Sequence, residues 1–439
     1  MEMTKIPWPE MAAELYRTVL PGGMEVAVWP RPGFHRKYAA FGTHFGAIDR
    51  RFRTGGGEPV EMPAGIAHFL EHEMFEKPDQ PVMDAFSALG ADPNAYTGTA
   101  YTIYLFSAVD NFEPALDTLI RYVQEGIFTP ASVAKQKGII EQEIRMYLDH
   151  PSFMVYANLL QAMYKNHPIR DYVAGTVESI QGITPALLTQ CHKTFYDPRR
   201  MILCVVGDVE PGAVAELAAR ALQVPSGPPP AVERFYPDEP EGVVEARVTR
   251  EMPVSRPYVY VGFKGPQVDP TGAEGMRREI MASFGLQALF GEATAWYQEL
   301  YQDGTITEGF GAGYEQYPKA SYVLMGGQSE HPERFVDKTF QRIEKFYHEG
   351  LDPTGFERVR RQLIGNLPAL LDQPEGLAHQ YMTYRFWDWD LLDVARVIRT
   401  LDMEEVTRFL RSNLRLEAAS VSTVTPPGST TMAAVGGGM

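Results

Sequence analysis

Apolar positions along the chain recur at a period of two, then at a period near 3.6, and the alternation continues almost from end to end, so strands and helices interleave throughout. "LPGGMEVAVWPRPGF" reads as a turn, a short alternating strand and a second turn, and "KYAAFGTHFGAIDRRF" as another strand. "RTGGGEPVEMP" is a loop whose Pro63 suits the first turn of a following helix. "VMDAFSALG" predicts a short helix ended by Gly90, and "NAYTGTAYTIYLFSA", rich in Thr and Tyr, predicts a strand. "FEPALDTLIRYVQEGIF" and "SVAKQKGIIEQEIRMYLDH" carry helical periodicity; "RMILCVVGDV" is a buried strand and "PGAVAELAARAL" a helix. The second half repeats the mixture, with strands in "RPYVYVGFKG" and "SYVLMGGQS" and helices in "EGMRREIMASFGLQALFG" and "VDKTFQRIEKFYHEG".

Between the halves lies "QVPSGPPPAVERFYPDEPEG", the segment densest in Pro and Gly and the best linker in the chain. It predicts a first domain over 1–225, a linker over 226–242, a second domain over 243–426 and a flexible tail over 427–439. No tight sequence repeat is present, but the order of elements runs roughly parallel in the two halves, which predicts an α+β architecture used twice. A length of 439 residues accommodates two such domains.

Charge and composition narrow the function. A net charge of −16 argues against a nucleic-acid partner, because phosphate binding needs basic surface. Two cysteines, Cys191 and Cys204, cannot build a disulfide framework or a thiolate zinc cluster. No apolar run approaches the ~20 residues of a membrane helix. The N-terminus has no basic stretch followed by an apolar block, so a cytoplasmic protein without membrane contact is expected.

Chemistry enters with "AGIAHFLEHEMF", residues 64–75. His68, Glu71 and His72 stand at i, i+3 and i+4, and on a helix they share one side. Two imidazoles with a carboxylate suit zinc in tetrahedral geometry, and a carboxylate beside it, Glu71, suits a general base. The order H-x-x-E-H is the inverzincin pattern. A polar helix face with satisfied histidines is the plainer alternative, and a third ligand elsewhere separates the two. "KGIIEQEIRMYLDHP" offers one: Ile139, Ile140, Ile144 and Tyr147 form an apolar stripe that includes Glu143, whereas Glu141 lies about 200° away. A carboxylate aimed at a core needs a partner, and a metal ion would serve; an N-cap or ion-pair role for Glu143 is the alternative.

At this point the chain resembles the pitrilysin/insulinase family of zinc peptidases, in particular its bacterial single-unit branch related to the mitochondrial processing peptidases. The resemblance rests on "GIAHFLEHEMFEKP", "FSALGADPNAYTGTAYTIYLFSA", "KGIIEQEIRMYLDHP" and "HPIRDYVAGTVESIQGIT", four motifs in order along the chain. It implies two homologous α/β-sandwich domains with largely antiparallel sheets around a chamber, one zinc ion held by His68, His72 and Glu143, and Glu71 as general base. It also implies that Asn94, Ala95, Tyr96 and Thr97 form an edge strand that receives substrate peptide by strand addition, a mode in which main-chain pairing gives affinity without demanding a sequence.

Two departures qualify it. Relatives of this kind place a glutamate seven residues before the third ligand as outer support; here that position is Gln136, which cannot add negative charge. The family also completes its site with an arginine and a tyrosine in a run shaped R-x-x-x-G-L-x-Y. Here the run is "ELYQDGTITEGF", with Leu300 and Thr307 in their places. The resemblance therefore implies the metal-bearing subunit of a two-subunit zinc endopeptidase, whose homologous partner supplies Arg and Tyr, or else a homodimer. Tyr301 and Arg385 are conceivable stand-ins. A non-catalytic scaffold subunit that kept the fold is the alternative.

Overall fold

A computed structural model describes residues 1–77, 81–225 and 227–428; from residue 429 on, the expected tail lies outside the described residues. The chain forms two compact units, each assembled from three segments. The first comprises Met1–Ile144, Tyr172–Phe235 and Asn366–Leu392, and the second Arg145–Asp171, Tyr236–Gly365 and Asp393 onward.

In the first unit a seven-stranded sheet runs in the order Thr4–Trp8, Ala13–Val19, Glu25–Pro30, Met201–Gly207, Lys37–Thr43, Thr102–Ala108, Asp92–Thr97. Only Glu25–Pro30 and Met201–Gly207 pair in parallel. The second unit has a five-stranded sheet ordered Arg247–Glu251, Ala419–Thr425, Tyr258–Lys264, Ala320–Gln328, Gly311–Tyr317, again with only the first pair parallel. Its five strands follow the chain order first, fifth, second, fourth, third. The last five strands of the larger sheet follow the same order with the same parallel and antiparallel pairings. The α+β architecture used twice is thus visible in topology where the sequence shows no repeat.

Contiguous domains over 1–225 and 243–426 do not describe these units, because each half of the chain gives a helix to the other's sheet. Helix Pro374–Phe386 packs on strands Met201–Gly207 and Lys37–Thr43, and helix Pro151–Met163 packs on Ala419–Thr425 and Tyr258–Lys264. Both helices lie over equivalent strands, and each meets a glycine. A Cβ at Gly42 would come within 2.6 Å of Met382 Cε, and one at Gly262 within 2.7 Å of Met163 Sδ. Buried polar ties add to the packing. Arg385 and the Tyr381 hydroxyl both donate to the Glu25 carboxylate, and the Tyr164 hydroxyl donates to the Ser321 carbonyl at 2.7 Å.

The Pro/Gly-rich segment is not a free tether. Val232–Arg234 pairs with Arg51–Thr54 in a small three-stranded sheet completed by Val60–Glu61. Five residues on, Glu239 is buried, accepts from the backbone N–H of Lys165, Asn166 and His167, and pairs with the buried Lys264 ammonium at 2.6 Å. Such a carboxylate satisfies four donors that would otherwise be orphaned.

One local reading also changes. "NAYTGTAYTIYLFSA" is a hairpin rather than one strand: Asp92–Thr97 and Thr102–Ala108 pair antiparallel, and Gly98 N–H donates to Tyr101 O at 2.8 Å to close the turn. His150, two residues after helix Pro130–Leu148, occupies the N-cap position of helix Pro151–Met163 without a side-chain bond to it. Among the described residues no helix is long and apolar enough to cross a membrane.

Candidate active site

The helix bearing the histidine motif spans Ile66–Met74 and buries Ile66, Ala67, Phe69, Leu70 and Met74. Its start is fixed by Gly65, whose φ of 89° lies in the left-handed region, and a Cβ there would sit 2.3 Å from the Ala174 carbonyl oxygen. Only glycine satisfies both conditions. Pro63 precedes the helix by three residues, and its carbonyl accepts from Ile66 N–H instead of opening the first turn. With the apolar residues facing the core, His68 and His72 fall on the partly open side, ring centroids 4.6 Å apart.

Glu143 arrives from helix Pro130–Leu148, whose buried face is Val133, Gln136, Ile140 and Ile144. Ile139, assigned to that face from periodicity, is 44% exposed. Glu143 lies at the margin of the stripe, and the margin meets the histidines. His68 Nε2 is 3.5 Å from Glu143 Oε1 and His72 Nε2 is 3.3 Å from Oε2. One ligand atom from each residue can be chosen so that all lie within 4.8 Å of one another. A tetrahedral zinc ion with bonds of about 2.0–2.1 Å separates its ligand atoms by roughly 3.3 Å, and the two imidazole–carboxylate distances, one to each Glu143 oxygen, are of that order. The donor set, two nitrogens and a carboxylate, fits as well. Hydrogen bonds from both histidines hold the Glu143 carboxyl far below the ordinary carboxylate range. Burial disfavours the charged form of His72, but its bond to Glu143 and the charges of Glu71 and Glu143 outweigh that and raise its pKa. The pocket thus favours positive charge, in the form of a proton or a metal cation.

Glu71 is 7% exposed, and its Oε2 accepts a hydrogen bond from Thr97 Oγ1 at 2.7 Å. Thr97 lies 3.3 Å from Thr102 Oγ1, and the Thr102 hydroxyl donates to the Phe45 carbonyl. Behind them the phenols of Tyr104 and Tyr196 are 2.9 Å apart. Burial, and in smaller part the Glu71 charge, pushes both phenols to pKa values well above normal, so they remain protonated. Gln136 is buried; its Nε2 donates to Glu76 Oε1 at 3.3 Å, and Lys135 pairs with the same oxygen at 2.8 Å. The Gln136 side chain also faces His72 and contributes a small part of the rise in its pKa.

The four residues assigned to substrate separate by role. Asn94 is exposed, and its side-chain oxygen accepts from Ala95 N–H at 2.8 Å. Among the described residues Asp92–Thr97 is the outermost strand of its sheet and pairs only with Thr102–Ala108. Thr97 turns to Glu71, while Tyr96 turns the other way, toward His379. Sequence reasoning missed the link from Thr97 to Glu71, although alternation in an edge strand beside the motif helix is the signal that could have found it. Thr97→Val is expected to lower kcat about tenfold, the equivalent of losing one hydrogen bond to a charged group, with zinc content unchanged and Thr97→Ser restoring the rate. Steady-state kinetics on a quenched peptide checks this.

The positions where the resemblance calls for arginine and tyrosine hold no substitute. Leu300 is fully buried in helix Ala295–Gln302, and Thr307 Oγ1 accepts from Gly309 N–H. The Tyr301 hydroxyl donates to Glu308, and Arg385 is engaged in two bonds to Glu25.

Comparison with known proteins gives the family. The profile of insulinase (peptidase family M16) matches residues 54–177, and that of the peptidase M16 inactive domain matches residues 182–363. The zinc protease YmfH of Bacillus subtilis, itself named uncharacterized, is 36% identical over 96% of this chain and 99% of its own length. YmxG of the same organism, named likewise, is 26% identical over 72% of this chain and 78% of its own. An M16-like peptidase from Alicyclobacillus acidocaldarius superimposes with a TM-score of 0.91 at 36% identity, covering 96% of this chain and all of that one. A protease from Helicobacter pylori shares the fold at a TM-score of 0.78 and 16% identity, over 94% of this chain and all of that one. Two family profiles in tandem and a full-length relative at this identity, on a chain whose histidines and glutamate converge, establish that the protein belongs to the M16 (pitrilysin/insulinase) peptidase family.

Proposed function

We propose that this chain is a zinc-dependent endopeptidase acting on extended peptides, with His68, His72 and Glu143 as the metal ligands and Glu71 as the general base. The observation that carries the reading is the convergence of two Nε2 atoms and the Glu143 carboxylate beside a buried, hydrogen-bonded Glu71. Zinc bound there would supply a Lewis acid that polarises the scissile carbonyl and acidifies water. Glu71 removes a proton from the attacking water and delivers it to the leaving amine. Its bond from Thr97 keeps the other oxygen oriented for that transfer. The peptide lies along Asp92–Thr97, whose outer edge offers main-chain donors and acceptors, and Asn94 stands near the scissile region.

The chain acts with a partner. Leu300 and Thr307 offer nothing to an oxyanion, so a homologous subunit bearing an arginine and a tyrosine, or a second copy supplying other groups, completes the site. The same two residues favour one other reading, a scaffold subunit that kept the fold without activity; the intact His68, Glu71, His72 and Glu143 speak against it. Cleavage of a quenched peptide library by the zinc-loaded chain decides between these. Weak cleavage alone and strong cleavage after addition of a homologous subunit is the expected result. Full activity alone would remove the partner, and none in either mixture would favour the scaffold.

A further inference from the structure

The outermost strand of the first unit's sheet is held on its two faces by different parts of the chain. Thr97 directs its hydroxyl to Glu71 on the motif helix. Tyr96, its neighbour, projects to the opposite face, as strand alternation requires, and there its hydroxyl meets Nδ1 of His379, 283 positions later. His379 belongs to helix Pro374–Phe386, the helix lent to this sheet by the second half of the chain. Tyr101 closes the group: its ring lies 6.4 Å from Tyr96 and 5.9 Å from His379, and Phe386 stacks on it at 6.1 Å. Tyr96, Tyr101 and His379 are all half-buried. Burial lowers the His379 pKa and raises that of Tyr96, so a neutral phenol and a neutral imidazole share the hydrogen bond.

An edge strand has a hydrogen-bonded neighbour on one side only, so less of its twist and pleat is dictated by the sheet. Any slack must be removed when a peptide pairs with the free edge, and that ordering reduces affinity. We infer that His379 is a positioning residue for peptide capture: by hydrogen-bonding the Tyr96 hydroxyl it fixes the pleat of Asp92–Thr97, so the free edge is presented ready to pair and Thr97 stays in reach of Glu71. The inference rests on the strand-addition reading proposed above. Both ends of the contact lie in one compact unit, although they come from opposite halves of the sequence.

The test uses the full chain carrying Glu71→Gln, so that bound peptide survives, and a fluorescein-labelled unstructured peptide of mixed sequence read by anisotropy. Adding His379→Ala should weaken binding about fivefold, as expected for one neutral hydrogen bond. Tyr96→Phe should do the same, and the double variant should lose no more than either alone, because both remove one bond. His379→Asn, whose side-chain oxygen can take the place of Nδ1, should recover most of the affinity, and zinc content should not change in any variant. Unchanged affinity in His379→Ala and Tyr96→Phe, or losses that simply add, would overturn the role of His379. Should His379→Ala fail to fold, Tyr96→Phe reads the same bond. Cleavage by the unsubstituted chain, with affinity in the Glu71→Gln background indifferent to both residues, overturns this inference alone. No peptide binding by the Glu71→Gln chain together with no cleavage by the unsubstituted chain overturns the strand-addition reading with it.

Discussion

Glu71→Gln is expected to keep its zinc and lose about two to four orders of magnitude in kcat, the usual contribution of a positioned general acid–base. The residue is buried but lies outside the group of His68, His72 and Glu143, so the ligand atoms are untouched. A glutamine is of nearly the same size, and its carbonyl oxygen can still accept the Thr97 hydroxyl. What disappears is the capacity to take up and release a proton. Metal analysis by mass spectrometry beside peptide turnover separates the two effects, and activity within tenfold of the parent would exclude Glu71 as the base. An equal fall in zinc content would make it part of the metal's support.

Glu143→Gln should give the opposite pattern. It removes the only carboxylate among the three converging residues and leaves two neutral imidazoles with a weak amide donor. Zinc affinity should drop by more than the ~10–100-fold typical of losing an outer partner, and catalysis should fall with it. Competition with a chromophoric chelator measures this directly. Zinc that stays bound at the parent's affinity would remove Glu143 from the ligand set, and the distances to His68 and His72 would then describe an ion pair only. Together the two substitutions distinguish a loaded, inert chain from an empty one.

The parts of this site legible in the sequence are those fixed by local periodicity. His68, Glu71 and His72 share a side because helical spacing puts them there, and the apolar residues between them leave one orientation for the helix. Glu143 was legible for a less secure reason: the stripe used to orient it included Ile139, which is exposed, while Ile140 and Ile144 carry the packing. Asp92–Thr97 and its partner read as one strand because Thr, Ala and Tyr continue the alternation through the turn at Gly98, and only the Gly98–Tyr101 bond breaks it. Least legible were Pro151–Met163 and Pro374–Phe386. Amphipathic pattern shows that a helix buries a face but carries no address for the sheet it will cover. The partner of Tyr96 was hidden for the same reason.

That lending of helices bears on how the molecule comes into being. During synthesis the strand around Gly42 emerges early and the strand around Val205 near the midpoint, yet their covering helix, with Met382 and Phe386, leaves the ribosome within about the last eighth of the described residues. His68, His72 and Glu143 are therefore made long before the unit that carries them can close, and an apolar sheet face waits uncovered while most of the second half of the chain is made. A nascent chain of this kind invites chaperone attention, and folding one half at a time, the habit of multidomain proteins, is not open to it.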